Sequence, residues 1–198
     1  MLAAPTYGLV ICGGKSTRMG SDKSMIIYHH KPQAYYMYEM LQPLCRKVFL
    51  CCNVRQAQQY ADRYNLMPDL PAYENSGPIA ALLTAFDHYP DVNFLTTGCD
   101  YPFVSTEDLK NVLTAGERKN APAVLYNYIE NVYEPLLAWY PAECLRELAG
   151  LFEERQYSIQ HFLRNTNAIK ISPVHQKSVI SVDTPEAFTA VKKQFRIF

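Results

Sequence analysis

The sequence predicts an α/β fold, a three-layer α/β/α sandwich built on a mostly parallel sheet. Short apolar runs alternate along the chain with amphipathic stretches whose apolar residues recur at helical spacing. Strand–helix alternation of this kind implies crossover connections and therefore parallel pairing. Composition agrees with a packed interior, with 48% hydrophobic and 19% charged residues. A chain of 198 residues is long enough for one well-buried domain and short for two, so residues 1–198 are expected to form a single domain.

Tyr7–Cys12 is uninterrupted apolar sequence, as in a strand buried on both faces, and Gly13–Lys23 is a polar, glycine-bearing loop. Over Pro32–Cys45, Ala34, Tyr35, Tyr38, Leu41 and Leu44 mark a helical face. Val48–Cys52 is a second buried strand, Arg55–Tyr64 a polar helix and Leu66–Pro68 a very short strand. The Gly77–Pro78 turn leads into the helix Ile79–His88. Asn93–Thr97 is another strand, and Thr106–Arg118 a helix with Ser105 as its N-cap. The second half is less regular, with strands at Pro122–Tyr126, Leu136–Tyr140, Ala168–Ile171 and Ser178–Val182, and helices at Ala142–Glu153 and Pro185–Phe195.

Several classes are disfavoured. With 19 basic and 19 acidic residues there is no surplus for general nucleic-acid binding. No apolar run approaches the roughly 18 residues that span a membrane, and Met1–Tyr7 lacks the positive charge of a signal peptide. The cysteines at 12, 45, 51, 52, 99 and 144 form no Cys-x-x-Cys pair, and Cys51 and Cys52 should point to opposite faces of their strand. Reduced thiols in a cytoplasmic protein are the expectation. Tyr35, Tyr36 and Tyr38 read as core and interface, His29-His30 as a loop without metal-ligand spacing, and Trp139 as packing beside the sheet.

In open α/β sheets ligands bind beyond the carboxyl ends of the strands. Here that selects Gly13–Lys23, Asn53 and Gly98–Asp100. The first segment carries Gly13, Gly14 and Gly20 together with Lys15, Arg18 and Lys23. Glycines let backbone N–H groups approach phosphate oxygens, a guanidinium grips phosphate with two prongs, and lysines act as point charges. Gly14-Lys15-Ser16 is not the end of a P-loop, because the required glycine position holds Leu9. Asp100 suits a magnesium-holding carboxylate, although a turn aspartate is common there. Asp69 carries the same ambiguity. Asn53 suits a base, a ribose or its own turn.

Together these residues resemble the molybdenum cofactor guanylyltransferase family, or MobA-like nucleotidyltransferases. Its hallmark is similar to Ile11-Cys12-Gly13-Gly14-Lys15-Ser16-Thr17-Arg18-Met19-Gly20-Ser21-Asp22-Lys23. Further similarities follow in order at Asn53, Asp69, Gly77-Pro78-Ile79-Ala80, Cys99-Asp100-Tyr101-Pro102-Phe103, Glu134-Pro135-Leu136 and Val182-Asp183-Thr184-Pro185-Glu186. The resemblance implies a Rossmann-like fold, Mg²⁺, and transfer of GMP from GTP to a molybdopterin-type cofactor with release of pyrophosphate. By that resemblance Ile11, Cys12, Gly13 and Gly14 contact the nucleotide, as do Asn53 and Asp69. Arg18, Lys23 and Asp100 carry catalysis: Lys23 binds the phosphates, Arg18 steadies them, and Asp100 holds nucleotide and metal. Molybdoenzymes or their chaperones become candidate partners.

The chain departs from the family pattern at Cys12 (alanine in the family), Ala81 (glycine) and Ser181 (an amide). These bear on the acceptor more than on nucleotide handling. Gly13-Gly14 goes with guanine in the family, but two residues leave a cytidylyltransferase of the same cofactor open. A catalytically silent nucleotide-binding regulatory module is the alternative from another class; intact Arg18, Lys23 and Asp100 weigh against it.

Overall fold

The computed structural model describes residues 4–12 and 22–195. Its strands are β1 (Thr6–Ile11), β2 (Lys47–Cys52), β3 (Leu66–Pro68), β4 (Asn93–Gly98), β5 (Ala123–Asn127), β6 (Val132–Tyr140) and β7 (Ile169–Ile171). The helices are α1 (Gln33–Leu41), α2 (Val54–Ala57), α3 (Pro78–His88), α4 (Thr106–Lys119), α5 (Ala142–Glu153), α6 (Ile159–Asn165) and α7 (Pro185–Phe195). The strands form one sheet in the order β3-β2-β1-β4-β6-β5-β7. Pairings β1·β2, β1·β4, β2·β3 and β5·β7 are parallel. β6 runs antiparallel to both its neighbours, β4 and β5.

Alternation along β1 assigns the two cores. Val10 and Cys12 pack with Tyr35, Met37 and Leu41 of α1 and with Leu109 and Val112 of α4. Leu9 and Ile11 pack on the other face, with Leu82 and Leu83 of α3, Leu145 and Leu148 of α5, and Phe162 of α6. Two helical layers thus enclose the sheet as expected for buried parallel strands. Cys51 and Cys52 divide the same way, one to each core. The six cysteines are free thiols. Among the described residues no helix is long and apolar enough to cross a membrane.

Two expected elements differ in the structure, and one helix is additional. The helix expected over Arg55–Tyr64 stops at Ala57. Beyond it Tyr35 accepts the backbone N–H of Ala61 at 3.1 Å and stacks on Tyr64, so tertiary contacts replace helical ones. Ser178–Val182 forms no strand. Gln176–Val179 is a 3₁₀ turn, and the backbone N–H of Val182 donates to the Asp100 carbonyl at 2.8 Å, because β7 already occupies the free edge of β5. Helix α6 escaped notice, although Ser158 caps it and Ile159, Phe162 and Leu163 give its buried face. The Ser105 cap holds and is completed by buried Asp108, which accepts from the Ser105 backbone. Tyr35, Tyr38 and Trp139 are core residues.

Candidate active site

Sheet order places the topological switch between β1 and β4: the chain leaves β1 toward β2 on one side and β4 lies on the other. At their carboxyl ends the Cys99 N–H donates to the Ile11 carbonyl, and the Cys12 and Cys99 sulfurs lie 3.1 Å apart. Ile11 and Cys12 are both buried. Gly13, Gly14, Lys15 and Arg18 lie outside the described residues.

The Asp22 carboxylate accepts from the Ser24 N–H and hydroxyl and caps a 3₁₀ turn over Lys23–Met25. Gln56 ties this turn to the end of β1. Its amide nitrogen donates to the Cys12 carbonyl at 3.2 Å and to Asp22 Oδ2 at 3.0 Å, while its oxygen accepts the Asn53 N–H. Gln56 was not singled out from the sequence, yet Asn53-x-x-Gln56 is a capping-box pattern, the signal that identifies it. Asn53 is exposed and its side-chain oxygen accepts from the Gln56 N–H at 2.9 Å, so its own turn engages that atom.

Asp100 follows β4. Position 98 must be glycine for it to sit there, since a Cβ at Gly98 would collide with Asp100 Oδ1. The Ser181 hydroxyl meets Asp100 Oδ2 at 3.2 Å and Asp183 Oδ2 at 2.7 Å, and Lys23 Nζ pairs with Asp183 Oδ1 at 2.8 Å. Lys23, Asp183, Ser181 and Asp100 therefore form one polar chain across the crevice. Burial, and then the nearby Asp183 carboxylate, raise the Asp100 pKa to about 6, against the lowering pull of its hydrogen bonds and of Lys23. Burial, Asp100 and Cys99 likewise push the Tyr28 phenol up to about 12.

Asp69 lies apart. It follows β3, its N–H donates to the Cys52 carbonyl, and burial followed by Glu74 raises its pKa to about 6. Three strand spacings separate it from Asp100, on the order of 14 Å, too far for the two to share an ion. Among the described residues no cluster of three or more His, Cys, Asp or Glu could hold a metal. The donors near Asp100 are instead two carboxylates linked by a hydroxyl. That is sparse for zinc but fits Mg²⁺, which takes one or two carboxylates and completes its shell with water and substrate phosphates. His29 stacks on Tyr36 and bonds the Pro102 carbonyl, a packing role.

Residues 8–170 match the family model described as the MobA-like NTP transferase domain. The chain belongs to that family. It is 30% identical over 190 residues to a molybdenum cofactor biosynthesis bifunctional protein of Synechocystis, covering 93% of this chain but 53% of that protein. This chain thus spans about half the length of that relative. A probable molybdenum cofactor guanylyltransferase of Halalkalibacterium halodurans is 24% identical over 189 residues, covering 90% of this chain and 93% of the relative. In fold, the chain is similar to the crystal structure of molybdopterin-guanine dinucleotide biosynthesis protein A from Archaeoglobus fulgidus. That similarity has a TM-score of 0.78 at 22% identity, covering 97% of this chain and 100% of that one.

Ser181 and Asp183 were absent from the expected site. They fall in the irregular second half, and only the fold brings residue 183 to residue 23. The strap at residues 181–183 is thus part of the crevice.

Proposed function

We propose that this protein is a molybdenum cofactor guanylyltransferase: it transfers GMP from GTP to a molybdopterin-type acceptor and releases pyrophosphate. The observation that carries the reading is the convergence at the β1–β4 switch of Cys12, Lys23 and Asp100, the last two joined through Ser181 and Asp183. The family match and the names of relatives spanning the same length support it.

In the proposed reaction an oxygen of the acceptor's terminal phosphate attacks the α-phosphorus of GTP. A new P–O bond forms, the bond from the α-phosphorus to the bridging oxygen breaks, and the electron pair leaves with pyrophosphate. The attacking phosphate is already anionic near neutral pH, so no strong general base is required. Lys23 offsets phosphate charge from the end of the glycine loop, and Arg18 adds a second cation. Asp100, with Asp183 beside it, would hold Mg²⁺, which when bound neutralises and orients phosphate oxygens. Asn53 and Asp69 lie on the β2–β3 side and would contact the nucleoside. The free cysteines support a reducing, cytoplasmic setting.

The test is incubation with GTP or CTP, Mg²⁺ and molybdopterin-type cofactor, with mass detection of product. A guanine dinucleotide is expected from GTP. Preferential use of CTP would assign the cytidylyl reaction, and nucleotide binding without pyrophosphate release would indicate a silent binding module. Asp100→Ala and Lys23→Ala should each nearly abolish turnover in a folded protein; near-normal activity removes that residue from the mechanism.

A further inference from the structure

Beyond Asp100 the site opens into a cavity of about 460 Å³ between the β5–β6 hairpin and the strap that follows β7. Its polar floor is Glu134, 8% exposed, on β6. The Tyr101 hydroxyl donates to Glu134 Oε2 at 2.7 Å, and the Asn127 side chain hydrogen-bonds the same carboxyl. Asn127 can only donate there, because its oxygen already accepts from the N–H groups of Ile129 and Glu130 and from Gln176 Nε2. Two neutral donors thus fix a buried carboxylate without a cation, leaving lone pairs for a ligand.

The walls narrow the ligand's chemistry. Among the described residues no lysine or arginine lines this cavity, and its other acidic residues are Glu130 and Asp183, a lining that disfavours a phosphate. Val132, Val179 and Ile180 supply apolar sides suited to a flat ring. A fixed carboxylate facing such a ring is matched by adjacent ring N–H and exocyclic NH₂ donors, a paired geometry that point contacts do not reproduce. That is the 2-amino-4-oxo pyrimidine edge shared by pterins and guanine. The strap orders the two ends: Ser181 and Asp183 belong both to this cavity and to the Lys23–Asp100 chain. A ligand anchored at Glu134 therefore extends toward the transfer centre from the side opposite β2 and β3.

We infer that Glu134, held by Tyr101 and Asn127, reads the 2-amino-4-oxo edge of the acceptor's pterin ring and sets acceptor specificity. This deepens the proposed function and rests on it for the word acceptor; the recognition itself does not. Burial, opposed by the Tyr101 and Asn127 hydrogen bonds, raises the Glu134 pKa to about 7, and two N–H donors from a ligand would restore its charge.

The experiment uses the full chain and three probes: 6-hydroxymethylpterin, its 2,4-dioxo counterpart lacking the amino group, and GTP with Mg²⁺. Pterin binding is read by fluorescence and GTP binding by calorimetry. Wild type should prefer the pterin over the dioxo analogue about 10–100-fold, the range expected for a charged hydrogen-bond pair. Glu134→Gln should bring that ratio close to one while GTP affinity stays within about threefold. Val132→Trp, which fills the cavity without altering the carboxylate, should abolish pterin binding. The inference is overturned by no wild-type preference, by a ratio unchanged in Glu134→Gln, or by tight pterin binding in Val132→Trp. Loss of GTP rather than pterin affinity in Glu134→Gln would assign the edge to guanine and overturn it too. Wild type that discriminates pterins but binds no GTP would sustain this inference and defeat the guanylyl-transfer reading instead.

Discussion

Gly98→Ala should damage the site more than the fold. A Cβ at position 98 would overlap Asp100 Oδ1 and lie 3.1 and 3.2 Å from Leu136 Cδ1 and Cβ. Leu136, packed against both cores, must yield by a few tenths of an ångström. Overpacking of this kind costs about 1–3 kcal/mol, offset by about 0.4–1 kcal/mol from the stiffer unfolded chain. At this chain length each kcal/mol moves Tm by roughly 2–4 °C, so a fall of a few degrees is expected. The carboxylate has an easier escape than Leu136, rotation about its own side-chain bonds, and that rotation removes it from Ser181. A displacement on the order of 1 Å at a positioned group costs about 10²-fold in turnover.

Gly8→Ala supplies the control. Its Cβ would meet Leu41 Cδ1 and Cβ and Cys45 Sγ at 3.1–3.2 Å, comparable crowding on β1 but remote from Asp100. Thermal melts and pyrophosphate release should show similar Tm losses for the two variants, with kcat/KM falling about 10²-fold only in Gly98→Ala. Equal activity losses, or wild-type kcat/KM in Gly98→Ala, would refute the claim that position 98 sets the carboxylate.

Gly116→Ala should lower Tm without changing activity per folded molecule, because its Cβ would press into the fully buried Trp139 ring, 2.7 Å from Cδ2; unchanged melting would contradict this. Gln56→Ala should cost about 1–3 kcal/mol, since it leaves the buried Cys12 carbonyl without that donor, and should raise KM for GTP by loosening Cys12 and Asp22, whereas Gln56→Glu keeps the capping half only. A GTP KM unaffected by Gln56→Ala would sever that link. The pH dependence has a definite sign. Glu134 has a folded pKa raised from 4.5 to about 7, so the fold binds its proton more tightly than the unfolded chain does. That contribution is fully present below about pH 4.5 and is lost as pH rises through about 7. The Tm difference between wild type and Glu134→Gln should therefore fall over that interval in metal-free, nucleotide-free buffer; a flat or rising difference would exclude it.

What could be read in advance follows from where the forces are local. Buried strands such as Val48–Cys52 and the capped helix after Ser105 declare themselves through apolar runs and N-cap chemistry, and the ends of those runs put Cys12 and Asp100 at the carboxyl ends of the adjacent strands β1 and β4. The polar segment after Arg55 did not, because its backbone is settled by a hydroxyl twenty-six residues earlier, Tyr35 on Ala61. Ser178–Val182 has strand-like composition, but strand formation needs an open edge, and β7 had taken it. Asp183 and Glu134 were visible as motif letters without a role, since their partners Lys23 and Tyr101 stand 160 and 33 residues away.

The Lys23–Asp183 pair bears on how the crevice would accept the proposed triphosphate. Asp183 is 58% exposed and Lys23 19%, so the pair is worth roughly 0–1 kcal/mol, less than a phosphate contact would give Lys23. Exchange of partners is thus cheap for the lysine. It leaves Asp183 and Asp100 with like charge, still joined through Ser181; burial first, and then the Asp183 charge, already hold the Asp100 pKa up to about 6 with Lys23 nearby. Under the proposed function, phosphates arriving at Lys23 would strengthen the demand for a divalent ion at the carboxylates. Nucleotide and Mg²⁺ should bind with positive cooperativity, and Asp183→Asn should weaken that coupling more than it weakens GTP binding alone. Calorimetric titration of GTP with and without Mg²⁺ measures both quantities, and coupling unchanged in Asp183→Asn would dismiss this electrostatic link.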